Sequence, residues 1–465
     1  MRLSDVGYTT ERIEETLGGG RISFAPADLA VHERRLEPGD PFSALARLFL
    51  LGSDLSDSEA EAALGDPEPL VRAGWLDPSS DRVRATLKLV PHGDLLIASD
   101  RDDGPMGSDW VAGIHPPSVT LAKLTVRRPV ARALDMGTGN GVQALLAARH
   151  AEAVVATDVN PRALAIARLN AGLNGVGNLE LREGSYFAPV EGQRFDLVTC
   201  NPPYVISPEN RYAYRDSGLP GDTVSRHVVE QAPKLLNEGG FAHVLVSWAH
   251  PQGDWWSPLE PWVEGSGCDS WLLYFGSDDP VTHASEWLKP VARDDPEGFR
   301  DRLDDWLEYL AGREIEAIAH GAVILRRRSG GRNWMRRDRV SLDRLEQASE
   351  HILRVFGTQD YLESLGDDQQ LLDEALALVE GHHLEETRRR AELKGTVLSL
   401  DEGLGFRTAL DVHTAELVPL LDGTRPLREV LAGLAVGDPA RFESAALPAV
   451  RRLLELGFLV RGSSG

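Results

Sequence analysis

Hydrophobic and polar positions follow three successive patterns along this chain. From about residue 121, strand-length apolar runs alternate with segments of helical spacing: ARALDM, VQALLAARH, AVVATDV, PRALAIARLNAGLNG, LELREG, FDLVTC and GGFAHVLVSW. Strands that alternate with helices of 10–15 residues predict an α/β fold, a parallel sheet with helices on both faces. Upstream, PFSALARLFLLG, SDSEAEAALG and EPLVRAGWL carry apolar stripes of helical period, and RVRATLKLV and DLLIAS flank PHGD as a hairpin would. Three helices and a two-stranded wing predict a winged-helix-like module. Beyond about residue 341, RLEQASEHILRVFG and QQLLDEALALVEGHHLEETRRR read as helices. ELVPLLDGTRPLREVLAGL and ALPAVRRLLELGFLV then predict helices ending in a short strand, again winged-helix-like. The expected division is 1–110, 111–330 and 331–465.

Composition narrows the class. The 465 residues carry 49 Lys+Arg against 72 Asp+Glu, a formal charge of −23, with 42% hydrophobic residues, which excludes collagen, coiled-coil rods and wholesale disorder. By region the charge is −10 over 1–120, −7 over 121–330 and −6 over 331–465. Two cysteines, Cys200 and Cys268, support neither a disulfide framework nor the Cys/His spacing of a zinc site. No metal is expected. The N-terminus lacks the apolar core of a signal peptide and no run of 18 apolar residues occurs, so a cytoplasmic protein without a membrane partner is expected.

The candidate chemistry lies at the ends of the predicted strands. Asp135-Met136-Gly137-Thr138-Gly139-Asn140-Gly141 stands between a strand and a helix, where glycines permit a tight turn and close approach of backbone to a ligand. A dinucleotide site wants G-x-G-x-x-G; here the third glycine comes one residue early and an acid opens the motif. At the end of the next strand, Asp158 can accept hydrogen bonds from both hydroxyls of a ribose. FDLVTC runs into Asn201-Pro202-Pro203-Tyr204 at the carboxyl end of the fourth strand, and ligands of open sheets bind beyond those ends. An asparagine oxygen and a backbone carbonyl of the proline segment can each accept one N–H of a planar amide or nucleobase amino group. Prolines stiffen that backbone, and the Tyr204 face can stack on the planar group.

Taken together, D-x-G-x-G-x-G at Asp135–Gly141, Asp158 and the NPPY signature at Asn201–Tyr204 resemble the class I S-adenosylmethionine (SAM) methyltransferases. Residues of roughly 115–250 resemble most the release-factor glutamine N5-methyltransferases. The resemblance implies a Rossmann-like doubly wound sheet, flanked here by the two small α+β modules, and SAM as cofactor. It implies cofactor contacts at Thr120 in HPPSVTLAKL, near the methionine end, and at Asp135, Gly137, Thr138, Gly139, Asn140 and Gly141. Further contacts are implied at Asp158, Val159 and Asn160, at Ser185 and Tyr186 beside the adenine, and at Asn201. Asn201, Pro202, Pro203 and Tyr204 would position the nitrogen. YRDSGLPGD (Tyr214–Asp222) resembles the glycine-containing loop that follows in the family. The implied reaction is N-methylation, first of a protein glutamine with a ribosome- or translation-associated partner. The alternatives are adenine or guanine amino groups of rRNA or DNA, and then a small molecule or peptide. The chain departs from the family in its N-terminal helices with a wing and in about 130 residues beyond the sheet.

Three other features stay open at the level of sequence. Seven arginines lie between Arg326 and Arg339 around Trp334; they suit a solvated hairpin edge, contact with acidic parts of the same chain, or nucleic acid. Seven of ten tryptophans fall between Trp248 and Trp306, as packing of an insertion or as a wall for substrate. His250 is read as structural before substrate-contacting, and His382-His383, read on a charged helix, lack the partners of a metal site. A cofactor-bound scaffold without catalysis would show loss of the Asn201–Tyr204 tetrad, which is intact.

Overall fold

A computed structural model of the chain describes residues 3–18, 26–79, 81–103, 107–210, 215–216, 218–389, 392–434 and 439–462. It divides into two compact units: residues 1–119, 129–271 and 276–335, and residues 120–128, 272–275 and 336–465. The first unit therefore takes in both the N-terminal helices and most of the sheet.

That unit begins with α1 (Thr10–Leu17), α2 (Pro26–Glu33), α3 (Pro41–Leu45) running on into a π turn at Ala46–Leu51, β1 (Leu55–Ser56), α4 (Asp57–Leu64) and α5 (Glu68–Arg72). β2 (Leu76–Ser79) and β3 (Arg82–Ala85) follow. Ser56 caps α4 through a reciprocal capping box with Glu59, which satisfies two backbone donors at the helix start. The strands form one sheet in the order β1-β3-β2, so the wing is β2 with β3. The expected hairpin around PHGD, β4 (Leu87–His92) with β5 (Leu95–Asp100), is a separate two-stranded ribbon, a correction to the reading of RVRATLKLV as one strand. The reason lies in β5, where Leu95, Ile97, Ala98, Ser99 and Asp100 are all buried. Leu95 and Ile97 join a core with Leu145 and Ala171, while Leu89 and Ala98 of the same ribbon pack in the core of the N-terminal helices.

The α/β region runs α6 (Pro116–Leu124), β6 (Val130–Met136), α7 (Val142–Ala147), β7 (Ala151–Asp158), α8 (Pro161–Leu173), β8 (Leu179–Glu183), β9 (Phe195–Cys200), α9 (Thr223–Gln231) and β10 (Leu236–His250). It continues with β11 (Cys268–Asp278), α10 (Pro280–Asp294), α11 (Gly298–Ala311), β12 (Ala317–Arg327) and β13 (Met335–Arg339). The sheet order is β13-β11-β12-β10-β9-β6-β7-β8, with β10, β9, β6, β7 and β8 parallel and β12 antiparallel to β10. This is the expected Rossmann-like α/β fold. The order reverses at β6/β9, which sets a crevice beyond the carboxyl ends of those two strands. β13 adds a strand after GAVIL, within the arginine run.

The second unit contains α12 (Ser349–Ser364), β14 (Ala375–Leu378), β15 (His382–Arg389), β16 (Glu392–Leu400), β17 (Arg407–Leu410), α13 (Val412–Leu417), β18 (Asp422–Pro426), α14 (Leu427–Leu434), α15 (Pro439–Glu455) and β19 (Leu459–Arg461). β18-β14-β19 and β15-β16-β17 each form a three-stranded sheet. The stretch read as a long helix over QQLLDEALALVEGHHLEETRRR is instead a 3-10 turn at Asp368–Asp373 followed by β14 and β15. Gly381, at φ 69°, breaks the helical path, and β15 pairs with β16 from His382↔Leu400 to Arg389↔Glu392.

Candidate active site

The floor of the crevice is the turn from β6 into α7. Gly137, Gly139 and Gly141 all adopt positive φ, 69°, 54° and 87°, which side chains disfavour. At Gly141 a Cβ would lie 3.1 Å from the Cβ of Ala167, so this glycine brings α7's start against α8. At Gly139 a Cβ would meet no protein atom within 4 Å. Asp135, 2% exposed, accepts from Thr138 Oγ1 (2.7 Å) and the Ala144 amide (3.2 Å) on Oδ2, and from Thr199 Oγ1 (3.0 Å) on Oδ1. Burial outweighs those bonds and pushes its pKa up to about 6. The Gly137 and Thr138 amides both donate to the Thr157 carbonyl, at 2.9 Å.

Asp158 closes β7 beside that turn. One carboxylate oxygen accepts from the Gly139 amide and the other from the Asn160 amide, each at 2.9 Å. Burial raises its pKa. Each oxygen keeps a further lone pair, so the carboxylate is fixed in direction yet still able to accept two more hydrogen bonds. Asn160 also caps α8, accepting from the Arg162 amide at 3.0 Å.

Asn201 follows β9 directly. Its side-chain amide forms no hydrogen bond with the other described residues and lines the same cavity as Asp158. The Tyr204 amide donates to the Pro202 carbonyl at 2.8 Å, a three-residue turn that fixes that carbonyl and leaves one of its lone pairs. Burial pushes the Tyr204 phenol well above its usual range, so it stays protonated. Beyond this turn Arg215 and Asp216, both buried, form a two-pronged ion pair (2.8 and 3.0 Å). Arg215 also pairs with Glu209, and Ser207 Oγ donates to Asp216 at 3.1 Å. Tyr214 and Ser217 of the expected loop lie outside the described residues.

The cavity has a volume of about 440 Å³, within the range of small-molecule sites. It is lined by Asp135, Gly137, Thr138, Gly139, Asn140, Asp158, Val159, Asn160, Ser185, Tyr186, Asn201 and Pro203. Thr120 does not line it; His115 and Ser118 do. Two residues along a helix turn the side chain by roughly 200°, so Ser118 and Thr120 lie on opposite faces of α6. Gly141, Pro202 and Tyr204 support the wall without lining it. Asn140 spends its side chain on the Ala112 carbonyl and the Val142 amide. Tyr186 holds φ 47° and packs edge-on against His227, ring centroids 5.3 Å apart. Sequence reading missed Trp110, Gln143 and Asn210 on the lining, along with Asp216 beyond its place in the noted loop; Trp110, Asn210 and Asp216 come from segments without spacing signals, and the helical pattern of α7 does not single out Gln143.

The open features of the sequence also find places. Asp269, its side chain fully buried, takes Arg326 (2.6 Å) and Arg328 (2.8 Å), and the Asn333 amide at 3.3 Å. Arg336 pairs with Asp338 at 2.5 Å. Trp248, Trp262, Trp271 and Trp306 are buried, which is packing. His250 is buried, bonds the Pro251 carbonyl at 2.8 Å and does not line the cavity. His382 and His383 stand on β15, not on a helix.

Two family profiles match the chain: "Methyltransferase small domain" over residues 117–252, and "Domain of unknown function (DUF7059)" over residues 5–86. Curated relatives include the release factor glutamine methyltransferase of Geobacter sulfurreducens, 38% identical over 145 residues, covering 28% of this chain and 50% of the relative. The ribosomal protein uL3 glutamine methyltransferase of Bradyrhizobium diazoefficiens is 37% identical over 173 residues, 32% of this chain and 51% of the relative. A Methanocaldococcus jannaschii protein, provisionally named a protein N5-glutamine methyltransferase, is 31% identical over 138 residues, 28% of this chain and 68% of the relative. The chain thus spans about half the length of the first two and two thirds of the third. Among the described residues no helix is long and apolar enough to cross a membrane.

Proposed function

The chain belongs to the class I SAM-dependent methyltransferases, and from that premise we propose that it methylates the side-chain amide nitrogen of a protein glutamine. The observation that carries this reading is Asn201: an amide without a hydrogen bond to the described residues, on the wall of the cavity that Asp158 and the glycine turn also line.

The cavity fits SAM. Gly139 offers open space where a side chain would stand, the Thr157 hydroxyl on the same wall is buried without a partner among the described residues, and Asp158 has free lone pairs for two ribose hydroxyls. Ser185 and Tyr186 flank the adenine end. When bound, SAM supplies a sulfonium methyl as the electrophile. Asn201 Oδ1 accepts one N–H of the substrate amide and the Pro202 carbonyl the other, which holds a nitrogen of delocalised lone pair in line for attack. Neither acceptor must take up the proton, which leaves after the nitrogen has become cationic. The names of the curated relatives favour a protein glutamine from a translation factor or ribosomal protein. In the cytoplasm, Cys200 and Cys268 would remain the buried free thiols they are here.

Nucleobase amino groups lose support because Arg326, Arg328 and Arg336 are already held by carboxylates of this chain. The test uses methyl-labelled SAM with lysate from cells lacking the gene. Protease-sensitive label recovered as N5-methylglutamine is expected; label released by nuclease overturns the substrate class. Asn201→Ala should lower kcat by about a hundredfold or more while leaving cofactor affinity within a few fold, as loss of a group that acts on the reacting nitrogen predicts. Asp158→Ala should instead weaken SAM binding by about a hundredfold, two charge-assisted hydrogen bonds being lost. Equal turnover by wild type and Asn201→Ala sinks the site assignment.

A further inference from the structure

Asp278 and His283, five residues apart, meet His320 from 37 residues further on, and none of the three lines the cavity described above. Asp278 ends β11, His320 stands on the neighbouring strand β12, and His283 stands on α10. One ligand atom from each lies within 4.8 Å of the others. The two imidazoles are nearly parallel, 18° between planes and 6.1 Å between centroids.

The tautomer of His283 decides what this cluster can do. Its Nε2 is 3.0 Å from the Ile206 carbonyl, which can only accept, so Nε2 carries the proton and Nδ1 keeps a lone pair. The residue is fully buried, and Nδ1 has no hydrogen-bond partner among the described residues. A buried acceptor left unmatched is costly. An imidazole whose N–H is given to a backbone carbonyl and whose other nitrogen is free has the arrangement of a metal-ligating histidine. His320 Nε2 and Asp278 Oδ2 stand 3.1 Å apart, close to the roughly 3.3 Å edge of a tetrahedron built on zinc–nitrogen and zinc–oxygen bonds. Both are only partly buried, which leaves an entry path. Arg215, whose charge also reaches His283, is matched by Asp216 and Glu209. Asp279, next in the chain, adds negative charge near Asp278.

We propose that Asp278, His283 and His320 bind a divalent transition-metal ion of the zinc class, with solvent in the fourth position. Two imidazoles and one carboxylate with an open site suit zinc, cobalt or ferrous ions over calcium or magnesium, which prefer all-oxygen shells. The ion would clamp α10 to β11 and β12. Through His283 and the Ile206 carbonyl it would also brace the segment that starts at Asn201. Binding requires His320 Nε2 to be free of its proton, which either moves to Nδ1 or leaves to solvent.

The test takes the full chain, stripped by a chelator and freed of metal. Titration with Co2+ should produce the visible absorption of a tetrahedral ion at one equivalent. Zn2+ should displace it and raise Tm. Asp278→Asn and His320→Gln, at partly exposed positions, should each weaken zinc binding by more than about tenfold, the loss caused even by removing a hydrogen-bond partner of a ligand, with metal-free Tm near wild type. Zinc-edge absorption of the loaded wild type, which needs no variant, should show two imidazoles. The proposal is overturned by a hexahydrate cobalt spectrum, by fewer than two imidazoles at the zinc, or by variants that bind zinc as tightly as wild type.

Discussion

At the scale of single residues, the position of Asp135 sets a measurable pH dependence. Its pKa rises from 3.8 to about 6 on folding, chiefly through burial. The folded chain therefore holds a proton through a window in which the unfolded chain has lost it. The stabilising share of that proton is fully present below about pH 4 and lost as pH rises through about 6. The amide introduced by Asp135→Asn could still accept from Thr138 and Ala144, and could donate to Thr199, whose hydroxyl also accepts. Urea unfolding between about pH 4 and pH 7 should show wild type losing on the order of 2–3 kcal/mol relative to Asp135→Asn, at about 1.4 kcal/mol per pKa unit. Parallel curves for the two proteins would mean that Asp135 does not titrate in this range. Asp135, Asp158 and Asn201, which all line the cavity, could be picked out from the chain because each stands at or just past the end of a strand whose pattern is plain. Thr199, a partner of Asp135, could not, since it comes from a strand 64 residues away.

At the scale of elements, α8 and the ribbon strand β5 are joined by amides. Asn170, fully buried, accepts from the Ala98 amide (2.7 Å) and donates to the Ala98 carbonyl (2.9 Å) and the Asn140 carbonyl (2.7 Å). One turn on, Asn174 does the same with Leu96, at 2.8 Å each way. The two side chains complete the backbone bonding along one edge of β5 as a third strand would. Asn170→Ala should destabilise by about 2–4 kcal/mol, because three buried backbone groups lose their partner. Asn174→Ala should cost less, at a half-buried site. Denaturant midpoints with unchanged m-values would check both, and an Asn170→Ala loss below that of Asn174→Ala would contradict the argument. In PRALAIARLNAGLNG these asparagines read only as polar positions, because the strand they bond, β5, lies more than 70 residues upstream.

At the scale of the whole molecule, the question raised by a charge of −23 is what the arginine run does. Asp269 holds Arg326 and Arg328 from within the sheet, and a carboxylate so paired is unavailable to leave and the arginines unavailable to neutralise phosphate. Fluorescence anisotropy should therefore give, for duplex DNA or structured RNA at physiological salt, no affinity tighter than the nonspecific range of about 10⁻⁴ to 10⁻⁶ M; nanomolar binding with a steep salt slope would restore the nucleobase reading. The chain by itself determined the α/β alternation and the ends of β6, β7 and β9, which line one cavity, since strand period and turn residues are local properties. It did not determine the strand β14, which pairs with β18 and β19, the Asp269 ion pairs, or the meeting of Asp278 and His283 with His320. Those depend on partners from distant segments, and only packing brings such partners within hydrogen-bonding distance.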